Sequence, residues 1–175
     1  IPGISVVLTA VVAILTSRYR LARVKAFLGA GAAAAGYQSR QSMVAIGSGG
    51  LLGRGYGAGH QKLFFLPEPH TDFVFASTAE ELGLIGIIGL VALAGVITWR
   101  GLQISGRQPA SVRALLAFGL TVTFATQALL HMVVCLRLLP PKGIPFPLVS
   151  YGKTDLLVTM ISMGLLLNLS RGFRS

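Results

Sequence analysis

Charged side chains are scarce in this sequence, and their scarcity excludes an ordinary soluble domain. Only 11% of the 175 residues are charged, whereas about 25% of a typical soluble globular protein is. The chain is instead 53% hydrophobic, with a mean hydropathy of +0.74. Several apolar runs approach the length of about 20 residues that a helix needs to cross a bilayer. The composition therefore indicates an integral membrane protein.

Acidic residues and cysteine are also few, and each shortage limits the kinds of site that the chain can form. The single cysteine, Cys135, excludes an internal disulfide. Basic residues outnumber acids by 15 to 5, but they are not clustered on an aromatic-rich soluble domain, so nucleic acid is not an expected partner. The acids are Glu68, Asp72, Glu80, Glu81 and Asp155. Because four of them lie within positions 68–81, that stretch is the first place to look for acid–base chemistry.

Hydropathy along the chain predicts about four transmembrane helices. The second apolar run is closed by Trp99 and Arg100, which are typical interfacial anchors, and the third is stopped by two prolines at 140–141. The first run is short for a crossing, and the chain begins with Ile1 rather than Met, so we expect a fragment of a longer protein. The predicted helices are residues 4–15, 82–99, 112–139 and 156–169.

Two connections differ from ordinary loops. Residues 16–81 are rich in glycine, as in GAGAAAAG and GSGGLLGRGYGAG, and have no apolar run long enough to cross, so we predict a long loop there. Residues 140–152 are rich in proline and in apolar residues, a composition that predicts a re-entrant or surface-lying turn. The predicted fold class is all-α. Residues 1–175 would form one integral membrane domain, a polytopic bundle of about four helices.

The basic residues predict the orientation of this bundle. The short connections on one face hold arginines and no acid, and the positive-inside rule places such a face in the cytoplasm. The long loop, the proline-rich turn and most acids then face away from the cytoplasm, together with the basic cluster at 18–25, because long loops often escape the rule. The arginines of the cytoplasmic face are Arg100, Arg107, Arg113, Arg171 and Arg174.

The segment LPEPHTDFVF is the densest polar grouping, and two interpretations of it stay open. In one, Thr71 or Asp72 caps the following helix by accepting its free amides. In the other, Asp72 is a general base in a setting of low dielectric, with Glu68 and His70 as residues that orient it. A zinc site is disfavoured because the three histidines are scattered and lack the ligand spacing typical of zinc.

Several cations are candidates to bind an anionic group. Lys142, in PPKG, either extends to the lipid headgroups or pairs with a diphosphate leaving group, whose growing negative charge a cation stabilises. The glycine-rich stretch lacks the ending of a phosphate-binding loop and is better explained as a flexible connection, but its Arg54 and the downstream Lys62 are candidates to hold a phosphate. His131 and Arg137 lie inside an apolar helix, where ionisable residues are functional candidates.

Taken together, these motifs resemble a known family. In chain order they are GYQSRQS, GSGGLLGRGYG, QKLFFLPEPHTDF, EELG, QALL and LLPPKGIPFPLVSYG. The set resembles the SEDS family of polytopic membrane proteins (FtsW, RodA and SpoVE). The resemblance runs in order from about Tyr19 to Arg171 and is nearest to the FtsW branch.

The resemblance implies a peptidoglycan glycosyltransferase that polymerises lipid II outside the bacterial cytoplasmic membrane. It implies as partners a class B penicillin-binding protein and other division or elongation proteins. The family has ten membrane helices, of which this chain would supply the C-terminal four, and its proposed catalytic aspartate falls on Asp72. No cofactor is certain, although a divalent cation such as Mg²⁺ or Mn²⁺ could assist the reaction. The resemblance carries further family positions onto Lys142, Gln38, Gln41, Ser150 and Tyr151.

The chain also departs from the family pattern, and the departures question its activity. SYGKTD replaces SYGGSS, which introduces Lys153 and Asp155, while His131 replaces an asparagine and Val133 and Arg137 replace glycines. Two alternative functions stay open: a flippase for lipid-linked precursors, with polar residues lining its path, and a noncatalytic scaffold for a penicillin-binding protein. We also expect the isolated chain to be inactive, because four helices are too few to enclose a lipid II site.

Overall fold

A computed structural model describes residues 34–58, 72–108, 112–140 and 143–171 of the chain. Within these residues the secondary structure is helical, without a strand, which confirms the predicted all-α fold class. The four described helices are α1 (Ala34–Ser48), α2 (Val74–Arg107), α3 (Val112–Cys135) and α4 (Lys153–Arg171).

Two of these helices, α2 and α3, are long and apolar enough to cross a membrane. At 34 residues α2 extends for about 51 Å, well beyond the apolar core of a bilayer, which is about 30 Å thick. The shorter α4 lies where the last crossing is predicted, with its bounds a few residues wider at each end. The predicted helix at 4–15 lies outside the described residues.

The prediction of one continuous loop over 16–81 is wrong in two places. Helix α1 lies inside it, and α2 begins at Val74, two turns earlier than its apolar run. Hydropathy misses both because these segments are polar or rich in small residues. They are stabilised by tertiary packing instead: Ala45 of α1 is buried against Phe73 and Phe75 at the start of α2.

Helix α2 is kinked at Gly83, and the glycine-rich segment 49–57 packs into the kink. Gly83 has φ 64° and ψ −158°, a conformation that is essentially restricted to glycine. At the kink, backbone groups of α2 bond outside their own helix. The glycine-rich segment forms backbone hydrogen bonds with residues before and after Gly83. The bonds are Arg54 N–H to Glu80 O, Gly55 N–H to Glu81 O, Leu84 N–H to Gly50 O and Ile85 N–H to Leu51 O.

The centre of the bundle is the contact between α2 and α3. Ala94 of α2 packs with Phe124 and Ala128 of α3, and Phe146 from the proline-rich turn completes this apolar cluster. Further along, Gly101 lies directly against the side chain of Thr121, where any Cβ on Gly101 would collide. Small residues thus let the two long helices approach closely, as is common between membrane helices.

Helix α3 ends at Cys135, four residues before the predicted end at 139, so that boundary prediction is wrong. The amide of Leu138 bonds to Val133 O and that of Arg137 to Val134 O, while Arg137 has φ 58°. These bonds and the left-handed residue are those of a Schellman motif. The motif ends α3 before the prolines at 140–141 are reached.

The helix ends define two opposite sides of the bundle. At one side, Gln108 Nε2 after α2 donates to Leu169 O near the end of α4, at 3.0 Å. At the other side lie the start of α2, the end of α3 and the proline-rich turn that leads into α4. The second side contains Asp72.

Candidate active site

Asp72 lies immediately before α2, at the side of the bundle where three segments meet. The N-cap of α2 is Phe73, and no side-chain cap is formed there. The amide of Phe75, in the first turn, instead donates to His131 of α3. The described contacts therefore give the capping interpretation of Asp72 no support.

The carboxylate of Asp72 lies beside Gly143, the first described residue of the proline-rich turn. A Cβ added at Gly143 would be 3.2 Å from Oδ2 and 3.5 Å from Oδ1 of Asp72. The backbone of the turn can approach the acid this closely because position 143 has no side chain. Lys142, the predicted cation, precedes Gly143 in sequence and lies outside the described residues.

Two polar side chains of α3 hold this turn in place. Gln127 Nε2 donates to Pro145 O at 3.2 Å and to Asp155 Oδ1 at 2.8 Å. One helical turn later, His131 Nδ1 lies 2.7 Å from Ile144 O. Residues four apart share one helix face, so both side chains reach the same stretch of backbone.

Within the turn, Ser150 closes a short loop of backbone. Its hydroxyl accepts the amide hydrogen of Phe146 at 2.7 Å, and its own amide donates to Phe146 O at 3.0 Å. Ser150 is buried, whereas the neighbouring Tyr151 is 68% exposed. The geometry gives Ser150 a role in shaping the turn and leaves Tyr151 at the surface.

Helix α1 reaches the same region from the side. Ser42 Oγ donates to Cys135 O at 2.8 Å, and Cys135 Sγ lies 3.9 Å from Asp72 O. Gln41, which is half-buried, precedes Ser42 in α1. The Asp72 backbone is thus connected to α1 through the end of α3.

Comparison with known proteins identifies the family to which the chain belongs. The family model FTSW_RODA_SPOVE, described as "Cell cycle protein", matches residues 1–175. The chain belongs to the FtsW/RodA/SpoVE family. The two apolar helices and this membership make it a polytopic helical membrane protein.

Several curated members of the family are close relatives. The chain is 45% identical over 159 residues to "Probable peptidoglycan glycosyltransferase FtsW" of Halothiobacillus neapolitanus, covering 88% of this chain and 38% of that protein. It is 51% identical over 136 residues to the protein of the same name from Alkalilimnicola ehrlichii, covering 76% of this chain and 34% of that protein. The chain thus spans a little over a third of the length of these relatives.

A solved structure has the same fold. It comes from "Structural coordination of polymerization and crosslinking by a peptidoglycan synthase complex" and matches with a TM-score of 0.72 at 24% identity. The match covers 99% of this chain and 48% of the solved chain. At 24% identity, this match shows a similarity of fold alone.

The structure pairs one of the predicted phosphate-binding residues of this FtsW/RodA/SpoVE chain with an acid. Arg54 Nη1 lies 3.9 Å from Glu80 Oε1, and Glu80 is fully buried. The described contact therefore directs the Arg54 charge toward α2, and its phosphate role stays a prediction. Besides Lys142, three predicted site residues lie outside the described residues, as does the side chain of Gln38. The three are Glu68, His70 and Lys62.

The described part of this family member contains no group of three or more His, Cys, Asp or Glu side chains able to hold a metal ion. Asp72 is a single oxygen ligand in the candidate site. Mg²⁺ commonly binds through one or two carboxylates together with substrate phosphates. Asp72 therefore fits a cation that a diphosphate helps to hold, and does not by itself form a metal site.

The sequence indicates Asp72 as a candidate acid but not the groups that lie around it. His131 is predicted to be a functional candidate inside a helix, and in the structure both His131 and Gln127 bond to the proline-rich turn. Their spacing of four residues was the available signal. Gly143 and Ser42 had no signal, because their contacts join segments that are distant in sequence.

Proposed function

We propose that this chain carries the catalytic centre of a peptidoglycan glycosyltransferase that polymerises lipid II during cell division or growth, with Asp72 as the general base. Its curated relatives bear the name "Probable peptidoglycan glycosyltransferase FtsW". The observation that carries the proposal is the position of the Asp72 carboxylate, next to Gly143 in the turn that contains PPKG.

The proposed reaction is a single displacement. A hydroxyl of the acceptor sugar attacks the anomeric carbon of the lipid-linked donor, the bond from that carbon to the diphosphate breaks, and Asp72 takes the hydroxyl proton. One carboxylate is enough because a single displacement inverts the anomeric centre, whereas a retaining enzyme also needs a nucleophile. The acid that this proposal uses is Asp72, whose carboxylate lies beside Gly143 of the proline-rich turn.

Cations complete the proposed site. As the diphosphate leaves, negative charge grows on its oxygens, and a fixed positive charge stabilises the transition state. Lys142 is our first candidate for this role, with Lys62 and Arg54 as further ones. If a Mg²⁺ or Mn²⁺ ion takes part, Asp72 is the described residue that would hold it, and the ion would supply the same neutralisation. Gln38, Gln41, Glu68, His70, Ser150 and Tyr151 remain proposed contributors to substrate binding.

The proposed location is the bacterial cytoplasmic membrane, with several crossings and with Asp72 on the outer face. Arg100, Arg107 and Arg113 surround the connection between α2 and α3 at the opposite end of α2 from Asp72. The positive-inside rule places that connection in the cytoplasm. The lipid-linked substrate would then reach Asp72 from the outer side of the membrane. The proposed protein partners, a class B penicillin-binding protein and other division or elongation proteins, would bind the chain on the same side.

The experiment that tests this proposal measures glycan-strand formation from lipid II. It uses the full-length protein that carries these residues, purified with its partner synthase, and compares the parent with Asp72→Asn. General-base catalysis contributes about 10²- to 10⁴-fold to a rate, so we expect the variant to lose polymerisation by at least about 100-fold. Folding and partner binding should stay intact, because Asn has nearly the same shape.

Asp155→Asn is the matched control for this substitution. It makes the same chemical change, and its Oδ1 can still accept the hydrogen bond from Gln127, so we expect near-parental polymer yield. Equal yields from the parent and Asp72→Asn would remove Asp72 from the mechanism. A folded parent that makes no polymer would favour the scaffold, or the flippase if it moved lipid II across the membrane.

A further inference from the structure

His131 joins two segments of the site through both nitrogens of its ring. It is only 1% exposed. Its Nδ1 lies 2.7 Å from Ile144 O in the proline-rich turn, and the amide of Phe75 in α2 donates to its Nε2 at 3.4 Å. The ring also meets Phe146 edge-on, with centroids 5.5 Å apart.

The two partners require one chemical form of the imidazole. A carbonyl oxygen only accepts hydrogen bonds, so Nδ1 must carry the hydrogen that bonds to Ile144. A backbone amide only donates, so Nε2 must be unprotonated to receive Phe75. The neutral ring with its hydrogen on Nδ1 satisfies both contacts, whereas the other neutral form would lose both.

Each contact lies close to a group of the candidate site. Phe75 is three residues after Asp72, and Ile144 follows Gly143, which touches the Asp72 carboxylate. The amide of Phe75 is among the first-turn amides that have no partner within their own helix, and α2 has no side-chain cap at Phe73. His131 thus supplies a partner for the first turn of α2 from another helix.

We propose that His131 is a positioning residue, which fixes the first turn of α2 against the proline-rich turn and so sets Asp72 relative to the backbone at Gly143. This inference rests on the proposed function of Asp72. The described hydrogen bonds of His131 are to backbone groups of Phe75 and Ile144, and it acts by joining the two segments whose separation determines where the acid lies. Misplacement of a catalytic group by about 1 Å can cost about 10²-fold in rate.

The test uses three substitutions in the full-length protein with its partner synthase. His131→Leu removes both hydrogen bonds and keeps an apolar side chain. His131→Asn places an amide near the Nδ1 position and can restore the bond to Ile144. His131→Gln reaches the Nε2 position and can restore the bond to Phe75. The measurements are kcat and KM for lipid II, and hydrogen exchange of residues 73–80 and 143–150.

We expect His131→Leu to lower kcat by about 10- to 100-fold with KM changed by less than about threefold. Hydrogen exchange should become faster in both segments. The Asn and Gln variants should each recover part of kcat, with protection restored mainly at 143–150 for Asn and at 73–80 for Gln. A variant that only weakened the fold would give no such division between the two segments.

Two results would overturn the inference. One is faster exchange in both segments with kcat unchanged, because the bridge would then exist without positioning the acid. The other is unchanged exchange in His131→Leu, because the bridge would then be absent. A parent that makes no polymer would count against the proposed function instead, and the exchange data would still decide whether His131 joins the segments.

Discussion

At the scale of single residues, Arg137 has a backbone conformation that a residue with a side chain disfavours. It occupies the left-handed position of the Schellman motif that ends α3, with φ 58°. Glycine adopts this conformation without strain, whereas other L-residues pay about 1–2 kcal/mol for it. The resemblance to the family implies glycine at this position, and the structure places Arg137, which was predicted to lie inside a helix, at the left-handed end of that helix.

Arg137→Gly should therefore stabilise the protein by about 1 kcal/mol. The measurement is the midpoint of thermal unfolding in detergent, compared with the parent. Arg137→Ala is the control, because it removes the charge but keeps the Cβ that causes the strain, and it should bring little gain. An equal rise in both variants would show that the cost came from the charge near the membrane and not from φ.

The candidate acid was predictable from sequence, but its surroundings were not. Asp72 was singled out because acids are few and most of them lie in one stretch. Gly143 and His131 lie far from it along the chain, and their proximity depends on how α2 packs on α3. No periodicity or composition carries that information, although Gln127 and His131 are four residues apart, a spacing that places two side chains on one helix face.

At the scale of elements, the kinked α2 and the glycine-rich segment 49–57 form one interlocked unit. Backbone hydrogen bonds join the segment to both sides of Gly83. Gly49 lies against Ala79 O, and Gly53 against Glu81 O, without room for a Cβ. The glycines that suggested a flexible connection therefore permit close backbone contact.

Gly83→Ala should disrupt this unit. Alanine strongly disfavours φ 64° with ψ −158°, and its Cβ would collide with the backbone of Gly53 and Leu51. We expect a loss of stability of about 1–3 kcal/mol or more, seen as a lower thermal midpoint. Gly89→Ala is the control, because no atom lies within 4 Å of its added Cβ; it should be neutral or slightly stabilising. Equal midpoints for the two variants would contradict the interlock.

The same unit explains which helices the sequence could predict. The apolar stretches of α2 and α3 stand out in any hydropathy profile. The first two turns of α2 contain Ser77, Glu80 and Glu81, all buried, so hydropathy assigns them to a loop. Their helical structure depends on the packing of α1 and the glycine-rich segment, which a single-sequence pattern does not express.

At the scale of the whole molecule, much of the apolar surface has no protein cover. Only 11% of the apolar window of α2 is buried, and 33% of that of α3. Large apolar side chains such as Ile85, Leu93 and Val112 are exposed by 58% or more. In water this surface would be unfavourable, so it must contact lipid or further helices.

This exposure leads to a prediction about the isolated chain. Among the described residues, Asp72 lies beside the turn at Gly143 and beside the end of α3 at Cys135. The chain spans 38% of its Halothiobacillus relative, and the proposed reaction requires both lipid-linked sugars to be oriented as well as the acceptor hydroxyl to be deprotonated. We therefore expect the purified 175-residue chain, with partner synthase and lipid II in liposomes, to make no polymer, while the full-length protein does. Polymer from the isolated chain, abolished by Asp72→Asn, would mean that these helices alone orient both sugars.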